Sequence, residues 1–125
     1  MAHRIIIVDD DQVTLRLLEK TISDAGFEVL TAVDGMKGLD LIQTTSPAIA
    51  IIDMLIPKLH GVEVCKRIRD NELLHGTKII LMSAVYQFST FRRDIEHADA
   101  DYFVNKPIDV PKLLELIKGI LPTSG

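Results

Sequence analysis

Six polar residues stand at the ends of short apolar runs. Asp9, Asp10 and Asp11 follow the run at 5–8, and Asp53 follows 49–52. Ser83 follows 79–82, and Lys106-Pro107 comes shortly after 102–104. Three adjacent carboxylates repel one another: at ~4 Å a pair of like charges costs roughly 1 kcal/mol in water and about 4 near a protein surface. A cation relieves that repulsion. Carboxylate oxygens at a partly open site suit Mg²⁺, which keeps several waters and takes one or two carboxylates together with phosphate oxygens. A lysine and a hydroxyl suit the remaining oxygens of a phosphoryl group. An aspartate can also act as a nucleophile toward phosphorus, giving an aspartyl phosphate. The chemistry that would use all of these groups is Mg²⁺-assisted phosphoryl transfer onto, or off, a carboxylate.

Singly, each residue has a plainer reading. Asp11 directly precedes a helical pattern and suits its N-cap. Asp53 could be turn chemistry, Ser83 an ordinary strand end, and Lys106-Pro107 a turn entry. What favours the joint reading is the set of elements that would carry them. The stretches 4–8, 28–32, 48–53, 78–83 and 101–104 are short and rich in Ile, Val or aromatics, and read as strands. The first, third and fourth lack polar alternation, as central parallel strands covered on both faces do. Helical patterns lie between them at 12–26, 35–45, 61–74, 88–98 and 109–121. Val13, Leu17, Leu18, Thr21, Ile22 and Ala25 are taken as the buried face of the first, Gly26 as its stop, and Asp109 as the N-cap of the last. Five β/α units in register predict an α/β fold, a doubly wound five-stranded parallel sheet with helices on both faces. Ligands of such a sheet bind beyond the carboxyl ends of its strands. In the order 2-1-3-4-5 the first and third strands are neighbours, so Asp9 and Asp10 would lie beside Asp53, with Ser83 and Lys106 on the other flank. The second strand ends in "TAVDG", with only Asp34 nearby.

With 125 residues, 47% apolar and 26% charged, the chain suits one domain, 1–125 with its core at about 4–121. Net charge is −4, and the basic stretches 65–71 and 91–93 are short and not interleaved with aromatics, which argues against direct nucleic-acid binding. The single cysteine, Cys65, excludes an internal disulfide and reads as a small core or helix residue. No apolar run is long enough for a signal peptide or a membrane span, so the expected location is the cytoplasm. His3, His60, His75 and His97 are dispersed, without ligand spacing, and read as surface or loop residues.

The chain resembles the receiver domains of two-component response regulators, the stand-alone chemotaxis type included, from about Arg4 to Leu121. The matching stretches are "IIIVDDD", "IIDMLIPKLHG", "ILMSA" and "ADYFVNKPID", the second giving D-x-x-x-P-x-x-x-G as Asp53, Pro57 and Gly61. The resemblance implies a flavodoxin-like (β/α)₅ fold and a phosphorylation-activated signalling switch rather than an enzyme. It makes Asp53 the phosphoacceptor, carried as 4-aspartylphosphate. Asp10 becomes a direct Mg²⁺ ligand, Asp9 its partner acid acting mostly through metal-bound water, and the Leu55 backbone carbonyl a third ligand. Ser83 is the switch hydroxyl, Lys106 the lysine that pairs with phosphate oxygens before a cis proline, and Phe103 the switch aromatic. The donor would be the phosphohistidine of a sensor histidine kinase or phosphotransfer protein. The face of the fourth predicted helix, fifth strand and last helix would meet a downstream effector protein or effector domain. It is also where a homodimer would form.

Two other classes fit parts of the pattern. Strand–Asp9-x-Asp11-x-Val13 is the opening motif of haloacid-dehalogenase-like phosphatases, with Asp9 as nucleophile. That reading lacks an acidic pair on a strand after Lys106 and leaves Asp53, Pro57 and Gly61 unused. A receiver kept as an unphosphorylated scaffold has no need of the complete acid, serine and lysine set. Within the receiver reading, Leu55 and Val85 stand where polar side chains often speed loss of the phosphoryl group, so two apolar residues predict a long-lived one. Leu55→Asn should therefore accelerate spontaneous dephosphorylation, followed as decay of label; a wild type that loses label faster than the variant would contradict the expectation.

Overall fold

The computed structural model describes residues 3–84 and 99–121. Five parallel strands form one sheet in the order β2-β1-β3-β4-β5: β1 Arg4–Val8, β2 Glu28–Ala32, β3 Ile49–Asp53, β4 Lys78–Ala84 and β5 Tyr102–Lys106. The described helices are α1 Gln12–Asp24, α2 Gly35–Thr45, α3 Gly61–Arg69 and α4 Val110–Ile120, with a short 3₁₀ turn at Glu72–Leu74. The helix expected at 88–98, Val85 and His97 lie outside the described residues.

The three central strands are apolar between their ends because both sheet faces are covered. Ile6, Val8, Ala50, Ile52, Ile79 and Leu81 pack with α2 and α3, through Leu39, Ile42, Val64, Cys65 and Ile68. Ile5, Ile7, Ile49, Ile51, Ile80 and Met82 pack with α1 and α4, through Leu15, Leu18, Ile22, Leu113 and Ile117. Full burial of one such side chain contributes about 1.5–3 kcal/mol. Cys65 belongs to this core, and burial pushes its thiol up to about 12.

Two helical expectations need correction. In α1 the buried residues are Leu15, Leu18 and Ile22, while Val13 and Leu17 are 76% and 52% exposed. Leu18 and Ile22 are buried as expected, and Leu15 joins them; Val13 and Leu17 stand on the neighbouring row of the helix, turned from the sheet. The helix expected over 61–74 ends at Arg69, because the Asn71 side chain accepts the Leu73 amide at 3.0 Å and starts the 3₁₀ turn instead. The Arg69 guanidinium leaves the helix for the carbonyls of Thr77 and Asp99, at 3.1 and 3.0 Å, and the Asp101 carboxylate. Gly26 does follow α1, at φ 102°, and Asp109 caps α4 by accepting the Lys112 amide at 3.2 Å. β5 runs two residues past its expected end, so Lys106 itself is a strand residue, in register with Ala84.

Strand β3 is followed by a loop that returns under its own end. The Gly61 amide donates to the Met54 carbonyl at 2.9 Å, and a Cβ at Gly61 would lie 2.3 Å from the Asp53 carbonyl oxygen. Gly61→Ala should therefore lower stability by about 2–3 kcal/mol, as overpacking against immovable backbone does. A urea midpoint within error of wild type would refute this account of the Asp53–Gly61 contact.

Candidate functional site

The carboxyl edge of the sheet gathers most of the residues singled out in the sequence. Asp9 continues β1, its amide donating to the Ala32 carbonyl at 3.1 Å; Asp53 ends β3; Lys106 ends β5. Because β1 and β3 are neighbours, carboxylate oxygens of Asp9, Asp10 and Asp53 all lie within 4.8 Å of one another. Asp9 is fully buried, Asp53 is 5% exposed, and Asp10 is exposed at the mouth.

Lys106 supplies the charge that lets the inner pair stay together. Its Nζ lies 2.9 Å from Asp9 Oδ2 and 3.0 Å from Asp53 Oδ1. The other Asp9 oxygen accepts the Asp11 amide at 2.9 Å. Burial acts against the lysine's charge. The hydrogen bonds and charges of Asp9 and Asp53 together outweigh it, and hold the ammonium above its usual range. Asp53 moves the other way: burial, reinforced by the charges of Asp9 and Asp10, raises its carboxyl to about 6 despite the Lys106 hydrogen bond.

Asp11 caps a helix and is not one of the three clustered carboxylates. Its carboxylate accepts the Thr14 hydroxyl at 2.7 Å and the Val13 amide at 3.2 Å, which lower its pKa and make it the N-cap of α1. Ser83 is buried near the end of β4, one residue beyond Met82, the register partner of Asp53; its hydroxyl donates to the Ala84 carbonyl at 3.2 Å. Leu55 is half-buried in the loop after Asp53. Phe103 is 43% exposed on β5, in register with Leu81. The Lys106–Pro107 peptide bond is cis. His3, His60 and His75 are exposed and outside the cluster.

Asp34 and Gly35, to which the sequence assigns no role in the site, lie against the loop leaving Asp53. The Gly35 amide donates to the Pro57 carbonyl at 3.0 Å. The adjacent Asp-Gly pair signals a turn, but not its contact with that loop.

The model for the response regulator receiver domain matches residues 5–118. The chain belongs to that family. This receiver is 31% identical over 118 residues to the DNA-binding dual master transcriptional regulator RpaA of Synechocystis, covering 94% of the chain but 48% of that relative. The chain thus spans about half the length of that relative. It is 29% identical over 121 residues to the polar-differentiation response regulator DivK of Brucella ovis, covering 97% of the chain and 98% of DivK. The solved chemotaxis response regulator CheY4 of Vibrio cholerae has a TM-score of 0.87 at 25% identity, covering 97% of this chain and all of that one. Family and sheet order agree with the receiver reading, and the dehalogenase-like phosphatase finds no support. Among the described residues, no helix is long and apolar enough to cross a membrane.

The receiver's Asp53 has a consequence for stability. An unfolded aspartate titrates near 3.9, below the folded value, so between about pH 4 and 6 the folded chain holds the extra proton. Stability therefore falls as pH rises through that window, and the full penalty is present above it. In metal-free protein Asp53→Asn should raise stability at pH 7.5 by about 1–3 kcal/mol. The gain should disappear at about pH 4, as read from paired urea titrations; an equal gain at both values would exclude this titration as its source.

Proposed function

We propose that this receiver takes a phosphoryl group from the phosphohistidine of a sensor histidine kinase or phosphotransfer protein onto Asp53. In that transfer an Asp53 oxygen forms the new bond to phosphorus and the phosphorus–nitrogen bond breaks, its electron pair leaving with the imidazole. The observation that carries the reading is the meeting of Asp9, Asp10 and Asp53 with Lys106 at one sheet edge. It is a set of hard oxygen donors with an ammonium held against two of them.

The donor set fits Mg²⁺: three clustered carboxylates, two buried and one open to solvent, on a hard-oxygen edge. Asp10, Asp53, Asp9 and the Leu55 carbonyl would hold it. When bound, it would supply positive charge to the oxygens of the transferring group. Lys106 would pair with phosphoryl oxygens, and Ser83 would turn its hydroxyl toward them. Small acyl phosphates could replace the protein donor.

Phosphorylation adds between one and two negative charges and three strong acceptor oxygens. These would bias an existing equilibrium between inactive and active arrangements. Phe103 would move inward, altering the face of β5 and α4 that would meet a downstream effector or effector domain. The domain would catalyse only its own phosphorylation and dephosphorylation.

Labelling with a small acyl phosphate and Mg²⁺ tests the reading. Stable label should appear in wild type and in Asp11→Ala, and be lost in Asp53→Asn and Asp10→Ala. Turnover of a phosphomonoester that depends on Asp9 and Asp11 but not on Asp10 would replace it with the phosphatase.

A further inference from the structure

The turn between β2 and α2 is built against the loop that leaves Asp53. Asp34 is 4% exposed and caps α2, its Oδ1 accepting the Lys37 amide at 2.8 Å. Its Oδ2 lies 3.8 Å from Lys58 Nζ. The Pro57 carbonyl accepts two amides, Gly35 at 3.0 Å and Leu59 at 2.8 Å. The Leu59 bond spans only two residues and closes a three-residue turn about Lys58, whose φ is 70°. A lysine in the left-handed region is disfavoured, and so tight a turn about it is strained. Such strain persists only where the surroundings over-determine the backbone.

Here the surroundings are the first turn of α2. A Cβ at Gly35 would lie 1.8 Å from the Leu59 carbonyl oxygen, so the loop can occupy its place only over glycine. At the other end of the loop, the Gly61 amide on the Met54 carbonyl fixes the return. Residues 54–60 are thus held between two glycine contacts, with Leu55 inside the span.

We propose that Asp34 and Gly35 are positioning residues for the cation site, holding the strained loop so that the Leu55 carbonyl completes the oxygen set of Asp9, Asp10 and Asp53. The inference rests on the proposed function for the ligand role of that carbonyl. It adds that the oxygen set is assembled by a helix that contributes no ligand.

Mg²⁺ affinity, read directly by titration of backbone amide resonances, tests it apart from phosphorylation. Gly35→Ala should weaken Mg²⁺ binding about tenfold, the scale on which loss of a ligand's supporting contacts acts. Label on Asp53 at saturating Mg²⁺ should still reach the wild-type level. Adding Lys58→Gly, which accepts φ 70° without strain, should recover most of the affinity, at temperatures where both variants are fully folded by urea titration, so that a change in overall stability cannot account for it. A folded Gly35→Ala with wild-type affinity, or one that Lys58→Gly does not rescue, overturns the proposal. Should Gly35→Ala fail to fold, Asp34→Ser takes its place under the same two outcomes, since it keeps a cap acceptor and loses the carboxylate facing Lys58. Wild type that binds Mg²⁺ yet takes no label sinks the phosphoacceptor reading alone; wild type that binds no Mg²⁺ sinks both.

Discussion

The Lys106 ammonium between Asp9 and Asp53 is the interaction on which the carboxyl edge depends. Two carboxylates drawn out of water at neighbouring strand ends repel more strongly than they would in solvent. Removing the cation between them would leave buried charge uncompensated, which is far costlier than never having placed it there. The sheet order sets the geometry of the remedy. β4 stands between β3 and β5, so a side chain from β5 must cross the end of one strand to reach the next two. A flexible four-carbon stem with a compact charge suits that reach. The small residues Ser83 and Ala84 end the intervening strand.

Burial is the main reason Asp53 remains hard to ionise beside a lysine, and the division of that lysine between two carboxylates adds to it. Lys106 is shared: Asp9, fully buried, takes one of its contacts and leaves its own charge close to Asp53. Two anions and one cation leave the inner cluster with an excess negative charge, and exposed Asp10 adds to it. Divalent charge at this edge would favour the ionised form of Asp53.

Much of this was legible in the sequence because the signals were of two robust kinds. Uninterrupted apolar runs such as Ile5-Ile6-Ile7 mark strands buried on both faces, and the β/α alternation then brings their carboxyl ends to one edge; which ends are neighbours follows from the order 2-1-3-4-5. What was not legible was decided by competition between similar options. Val13 and Leu17 are as apolar as Leu15, so composition could not say which row of α1 faces the sheet. Residues 61–74 carry a continuous helical pattern, and the break comes from Asn71 bonding the backbone and Arg69 reaching carbonyls about thirty residues away in sequence as well as nearby. The cation cluster could be read from residue type at strand ends; the support beneath it could not. Gly35 matters through contact with a loop more than twenty residues later, and no local pattern encodes that distance.

Strand parity constrains how a phosphoryl group at this edge could reach Phe103. Neighbouring residues on a strand point to opposite faces, and register partners in parallel strands share a face. Phe103 is in register with Leu81 and Asn105 with Ser83, so Phe103 lies on the Ser83 side of the sheet. Lys106, three residues from Phe103, starts from the other side, with Val104 and Met82. A change at Lys106 alone would have to pass through the strand backbone to move the aromatic ring. A change at Ser83 starts on the ring's own face, separated from it by one strand spacing. In a switch of the proposed kind, the lysine therefore serves the charge at the site, and the serine is the shorter route to the surface.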